Sequence, residues 1–421
     1  MPAFLFPVRA AMAYNVGIVQ PGSLGSVDAS PSVMIVGAGI AGLTLAAALQ
    51  QRGWRPRIVE QAPALRELGA GLQLSPNAMS VMAQLGLADK LVARGFLPEG
   101  IRSANWRSGR DNARVPFAAL NLHHPYLHIH RADLQQCLLD QVLGADPDCL
   151  LLNRHVEAIV AEANSTTLLI RHGSALHADW VIGADGIRSR CRDHVVRDNQ
   201  APRFTGNAAW RGLLATESVP QRLRPPPWAN LWMGPGGHVV MYYLRGGSLI
   251  NFVAVREQDD WLEESWNAPA SLRDLLHDFA HWDPALFDLL SHTDPKSCFR
   301  WALFDRDPIE RWHRDRLILI GDAAHPMLPY LAQGAAMGIE DAWVLAGLLA
   351  QGGDDVGARF QQLRAARCAR VQQLARDNMT LYHHHSAWMR AGRDTVAGLL
   401  ARFSPRLAAR RVQWIYDWQA S

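Results

Sequence analysis

Cysteine is scarce in this chain: five in 421 residues, with no CxxC spacing among them. Cys137, Cys149, Cys191, Cys298 and Cys368 therefore suggest neither a disulfide frame nor a zinc site, and read as reduced thiols of a cytoplasmic protein. Long apolar runs are missing too. The longest, around Ile40 to Leu49, falls short of the roughly 20 residues a membrane helix needs. Charge is mild, +3 net and spread without a basic block, which argues against a nucleic-acid or membrane-surface partner. No internal repeat is present. Residues 1–31 lack both alternation and a helical period, and they lack the basic cluster, apolar segment and cleavage site of a signal peptide. They are expected to be a disordered extension, or to follow from an upstream start codon chosen in error.

What the chain does have is glycine where glycine matters. Val33 to Val36 reads as a short, fully apolar strand of a parallel sheet. Gly37-Ala38-Gly39-Ile40-Ala41-Gly42 then turns into a helix from Ile40 to about Arg52, with Gly53 placed to stop it. Gly37 allows the turn, Gly39 lets backbone approach a pyrophosphate, and Gly42 lets helix pack on strand. The first helical turn, with Ile40 and Ala41, offers N–H groups to phosphates. Glu60 closes a second strand from Arg57, about 20 residues on, where a carboxylate would accept from ribose hydroxyls. This is a dinucleotide site, and the stretch alone does not choose between FAD and NAD.

Further along, Gly69-Ala70-Gly71 supplies small residues where backbone passes a flat ligand, and Ser75-Pro76-Asn77 can start the next helix. Leu127 to His130 forms a strand leading to a helix from Asp133 to about Leu143, with Arg131 at its mouth. Arg131 could hold a phosphate by a two-pronged hydrogen bond or be a surface arginine; both stay open. His123, His124, His128 and His130 lack metal spacing, and no metal is expected.

Trp180 to Gly183 is an apolar strand running into Ala184-Asp185-Gly186 and a helix start at Ser189. Between Arg203 and Arg316 lie eight of the fifteen tryptophans, and alternating segments at His238–Leu244 and Ser248–Val255 read as antiparallel strands facing a pocket. Most of these tryptophans are expected in the core, with a subset lining a pocket for a flat substrate. A strand at Arg316 to Ile320 breaks at Gly321-Asp322. A loop through Pro326 and Tyr330 then leads to a glycine-rich helix start at Gly334-Ala335, with the chain helical from Ala342 on. Arg359, Arg364, Arg367, Arg370 and Arg376 are expected on solvated faces, and His383-His384-His385 in an exposed helical turn.

Three motifs occur in order: Gly37-x-Gly39-x-x-Gly42 with Glu60, Gly183-Ala-Asp185-Gly186-x-x-Ser189-x-x-Arg192, and Gly321-Asp322-Ala-Ala-His-Pro326. Together they resemble the single-component (class A) flavoprotein aromatic hydroxylases from Val33 to Trp418. Gly69-Ala-Gly71, Trp210-Arg211-Gly212 and Leu328 to Ala335 are most similar to the salicylate, 3-hydroxybenzoate and 6-hydroxynicotinate branch. The resemblance implies an α/β fold, with a Rossmann-like FAD-binding domain interleaved with a mixed-sheet substrate domain and closed by C-terminal helices. It divides the chain at 32–202 (FAD, with 68–120 partly on the substrate side), 203–312 (substrate), 313–352 (FAD again) and 353–421 (helices).

The resemblance also implies FAD, transient NADH or NADPH, and O2 activated as a flavin C4a-hydroperoxide that hydroxylates a small phenolic or heteroaromatic acid. FAD contacts carry over to the glycine motif, Asp185-Gly186, Asp322 and Arg131. On physical grounds Arg211 could pair a carboxylate or phenolate, or tie two strands. His238 and Tyr242, four apart on a strand, share one face. They resemble positions that touch substrate or relay its proton, and a simply buried tyrosine is the other reading. Gln73, Pro326 and Tyr330 complete the expected substrate side. A monomer or homodimer is expected. A reductase or halogenase on the same fold, or a non-catalytic flavin sensor, are the competing functions.

Overall fold

The computed structural model describes residues 31–65, 71–162, 165–173, 175–197, 201–258, 268–269 and 271–421. The expectation of disorder over residues 1–31 therefore falls, Pro31 aside, outside the described residues, and so do the expected site residues Gly69 and Ala70.

In chain order come β1 (Val33–Val36), α1 (Ile40–Gln50), β2 (Arg57–Val59), β3 (Gly71–Leu74), α2 (Pro76–Gln84) and α3 (Ala88–Arg94). Then follow β4 (Gly100–Asn105), β5 (Asp111–Pro116), β6 (Leu127–His130), α4 (Arg131–Ala145) and β7 (Leu150–Leu151). An antiparallel trio, β8 (Val156–Ala161), β9 (Thr166–Ile170) and β10 (Ala175–Ala178), precedes β11 (Trp180–Gly183) and α5 (Arg190–Val196). Next are β12 (Arg203–Ala215), β13 (Ala229–Gly234), β14 (Gly237–Leu244), β15 (Leu249–Glu257), β16 (Ala268–Pro269), α6 (Leu272–Asp278) and α7 (Pro284–Ser291). The chain ends with β17 (Phe299–Asp305), β18 (His313–Arg314), β19 (Leu317–Leu319), α8 (Gly334–Gln351), α9 (Val356–Tyr382), α10 (Ala387–Phe403) and α11 (Pro405–Tyr416).

Two sheets frame the molecule. One runs β18-β19-β11-β1-β2-β7 and is parallel except at β18. Its central strands β1, β11 and β19 are buried at every position, within one core cluster that also takes in residues of α1, α8 and the β8–β10 trio and leaves no side for polar residues. The other sheet runs β16-β17-β12-β15-β14-β13-β4-β5, antiparallel except where β13 meets β4. It alternates. Trp210, Met241 and Phe252 face a core shared with Phe279, Trp282 and Leu286 of the α6–α7 region. Arg211, Val240 and Val253, one residue along, face the opposite way.

Several expectations meet corrections. Helix α1 ends at Gln50, two residues before the expected Arg52, and Gly53 follows at φ +82°. Helix α4 begins at Arg131, not Asp133, because His130 caps it by accepting from the Ala132 N–H at 3.2 Å. No described tryptophan lines the large cavity of the next subsection; Trp228, Trp210 and Trp232 bury their rings and donate to Glu99, Asp278 and Asp283.

The arginines of α9 depart most from expectation. Only Arg370 of the five is exposed. Arg364 is 1% exposed, with Nη1 2.6 Å from Glu340 and Nε 2.8 Å from Asp341, while Arg367 also holds Glu340 at 2.8 Å. The reason lies on α8, where two adjacent acids are fully buried and require cations. Asp341 is held down at about 2: burial alone would raise it, but His325 and Arg364 outweigh that. Its Oδ2 also accepts from the Gly321 N–H at 3.0 Å, so this network fixes the Gly321-Asp322 turn against two helices. His325, Asp341 and Cys368 stand close enough for a metal, but Arg364 already occupies the carboxylate, and the cluster reads as structural.

Candidate active site

A cavity of about 400 Å³ lies between the two sheets. Its first half is built at the C-terminal ends of β1, β11 and β19, where a parallel sheet offers backbone turns to a ligand. Gly37 sits at φ +106°, and a Cβ there would come 2.4 Å from the Ala184 carbonyl oxygen. A Cβ on Gly42 would stand 2.0 Å from the Gly37 oxygen. Gly39 differs: nothing lies within 4 Å of its Cβ position, and it lines the cavity at the N-terminus of α1. Two glycines are thus required by the fold, and the third keeps open the space a phosphate would fill.

Ile40, Ala41, Gly71, Gly186, Gly321, Gly334 and Ala335 line the same cavity, as do Arg131 and Asp322. Asp322 lies deep in the molecule, which raises its carboxyl pKa, yet its side chain is open to the cavity. Asp185 and Glu60 do not line it. Asp185 accepts from the Ser189 hydroxyl at 2.5 Å and from the N–H groups of Arg190 and Cys191, so its carboxylate caps the start of α5. Glu60 accepts from the N–H of Ala38 at 2.9 Å and of Ala62 at 2.8 Å, bracing the glycine turn.

The second half is the free face of the eight-stranded sheet. Arg211 pairs with Val253, and Val253 with Val240, so two strand spacings, about 10 Å, separate Arg211 from β14. His238 and Tyr242 flank Val240 on the same face, and all five residues line the cavity. Arg211 stacks on Trp301 with its guanidinium 4.1 Å from the ring centre. Among the described residues it has no hydrogen-bond or ion-pair partner, and burial pulls its pKa down to about 10. Burial raises Tyr242 and Tyr330 well above the usual phenol range, and the Tyr330 hydroxyl is buried without a partner. Gln73 lines the cavity and accepts from the Tyr126 hydroxyl at 2.8 Å.

Pro326 does not reach the cavity: it is buried, its carbonyl accepts from Gln372, and Pro329 takes the wall position beside Tyr330. Asn378 and Tyr382 of α9 and Tyr416 of α11 close the site. No motif marks these residues. Only the apolar spacing of α11, with Val412 and Tyr416 one turn apart, hints at an inward face.

Comparison with known proteins decides the class. Residues 30–377 match the model of the FAD binding domain family. The chain belongs to the FAD-dependent aromatic monooxygenases. It is 39% identical over 363 residues to a 3-amino-4-hydroxybenzoate 2-monooxygenase of Streptomyces cremeus, covering 85% of this chain and 89% of the relative. It is 35% identical over 360 residues to a 6-hydroxynicotinate 3-monooxygenase of Bordetella bronchiseptica, covering 83% and 92%. Among solved structures a salicylate hydroxylase substrate complex superposes with a TM-score of 0.79 at 26% identity, covering 94% of this chain and 97% of that one. The resemblance, the α/β class with its FAD-binding domain, and the use of FAD with NAD(P)H thus hold for this monooxygenase. No helix among the described residues is long and apolar enough to cross a membrane.

The donor set fits FAD. Gly39 leaves room for a phosphate at a helix N-terminus, Asp322 aims a carboxylate into the cavity, and Gly334-Ala335 open a second helix N-terminus there.

Proposed function

We propose that this monooxygenase hydroxylates a small aromatic or heteroaromatic acid that also carries a ring hydroxyl, with its carboxylate held by Arg211. The observation that carries the reading is the guanidinium of half-buried Arg211 at the cavity wall, without a side-chain partner among the described residues and with its Nε buried. A half-buried cation without a counter-ion is costly, and a planar carboxylate relieves that cost with two charged hydrogen bonds. The names of both curated relatives describe such acids.

Bound FAD, held by the Gly39 turn, Arg131, Gly186, Asp322 and the start of α8, would supply the oxygen-activating chemistry after reduction by NAD(P)H. The chain's own residues do the rest. Val240 and Val253 give the ring a flat apolar floor, and Tyr330 and Tyr382 wall it from water. Residues 32–202 with 313–352 serve as the FAD part, and 203–312, with β4 and β5, as the substrate part. The protein works in the cytoplasm, as monomer or homodimer, without nucleic acid or membrane.

NADH and NADPH oxidation by the yellow protein tests the reading, with salicylate, 3- and 4-hydroxybenzoate, 3-amino-4-hydroxybenzoate and 6-hydroxynicotinate added in turn. An acid from this panel should accelerate oxidation and gain one oxygen by mass. If only non-acidic rings do so, Arg211 has another role.

A further inference from the structure

Helix α10 carries its apolar side outward. It follows the turn at His383, which, against expectation, is 3% exposed because its ring packs on His238 and Tyr330. The inner face of α10 lies on β5, the edge strand of the eight-stranded sheet, so closely that a Cβ on Gly398 would stand 2.7 Å from the Asn112 carbonyl oxygen. The charges of its first half are turned inward. Arg393 Nε pairs with Asp394 at 2.8 Å, the two side chains 7% and 15% exposed, and Arg393 Nη1 donates to the Leu381 carbonyl at 2.9 Å. Arg390 donates to the His384 carbonyl at 2.9 Å. What α10 shows to water is Trp388, 88% exposed, Phe403, 75% exposed, and between them Val396 and Leu399, each more than half exposed. Met389 and Leu407 extend the patch at either end. No exposed residue from Ala387 to Leu399 is charged.

These six side chains present roughly 800 Å² of mostly apolar surface. The largest patch on a typical monomer is about 300–600 Å², and each partner of a standard interface gives about 800 Å². The spacing along α10 says what covers it. The crest of the helix, an arc of roughly 100°, holds Trp388, Gly392, Thr395, Val396, Leu399 and Phe403. They are separated by 4, 3, 1, 3 and 4 residues, which reads the same in both directions. An antiparallel helix of the same sequence therefore meets this one in register, about a two-fold axis between Thr395 and Val396. Trp388 then faces the second copy's Phe403, and Thr395 faces its Val396. Leu399 enters the space beside the second copy's Gly392, a position where a Cβ would have nothing within 4 Å. Ring beside ring and large against small let two helices approach closely. The antiparallel sense also sets Arg402 and Arg406 of the two copies at opposite ends, where a parallel pair would bring them together.

We propose that α10 is the interface of a two-fold homodimer, with Trp388 and Phe403 as its anchors. At Ser404 the chain passes from α10 into α11, whose Val412 and Tyr416 line the cavity, so the interface borders one wall of the active site.

The test is sedimentation velocity of the FAD-loaded full chain. Wild type at tens of micromolar should sediment with twice the 46.6 kDa of one chain. Val396→Glu, at a position exposed in the single chain, sets two like charges beside the axis and should weaken association at least roughly 100-fold, with flavin content unchanged. Val396→Cys should form a disulfide-linked dimer under mild air oxidation, because the two copies of this side chain meet at the axis. Leu363→Cys, exposed on α9, should not, and the five native thiols are buried. A monomeric wild type at tens of micromolar would overturn the proposal. A dimer that Val396→Glu leaves intact would overturn it too, since the copies then meet elsewhere, and so would equal cross-linking of the two cysteine variants.

Discussion

Replacing Arg211 by methionine separates a substrate-binding arginine from one that ties strands. The folded protein depresses this guanidinium from 12.5 to about 10, chiefly by burial. At about 1.4 kcal/mol per unit that is roughly 3 kcal/mol, and water in the cavity reduces it to about 2 kcal/mol. Stacking on Trp301 returns about 1 kcal/mol, and methionine keeps most of the apolar contact. Arg211→Met should therefore stabilise the ligand-free protein by about 1 kcal/mol in urea unfolding. Binding changes the other way. Loss of a charged, two-pronged contact to a carboxylate costs about 3 kcal/mol, or roughly 150-fold in Kd. FAD content, read at the flavin absorbance, should stay as in wild type. A strand-tying arginine gives the opposite pair: lower stability, unchanged Kd. That outcome would refute the assignment.

Three further substitutions probe the nucleotide turn and a buried imidazole. Gly39→Ala should leave unfolding of the FAD-free protein within about 0.5 kcal/mol and lower FAD affinity at least roughly tenfold, because its Cβ enters the space read as the phosphate site. Gly42→Ala should cost about 3 kcal/mol with or without FAD, since its Cβ meets a carbonyl oxygen; equal effects in the two variants, by urea unfolding and flavin retention, would contradict the division. His128 is fully buried, and burial lowers its pKa from 6.5 to about 3. The unfolded chain then binds the extra proton below pH 6.5, so wild type loses about 2 kcal/mol from this group between pH 7 and pH 5. His128→Phe should lose that much less over the same interval, and parallel pH curves would show that His128 titrates normally.

The sequence by itself determined the nucleotide half of this protein. Val33 to Val36, the three glycines and the Gly321-Asp322 turn are local in nature: a buried strand, a tight turn and a helix start are each written in a few neighbouring residues. The pairing of His238 with Tyr242 on one strand face was legible for the same reason, as period two needs no tertiary information. Tertiary structure decided the rest. Asp185, read as a cofactor ligand, caps α5, because an acid near a helix start can turn inward as readily as outward. Arg364 reads as a surface residue until Glu340 and Asp341, more than twenty positions away, are brought against it. His383 lies 145 residues from His238, so no spacing could announce the contact between their rings. Long-range electrostatic partners are set by how α9 lies against the sheets, and only the folded chain specifies that.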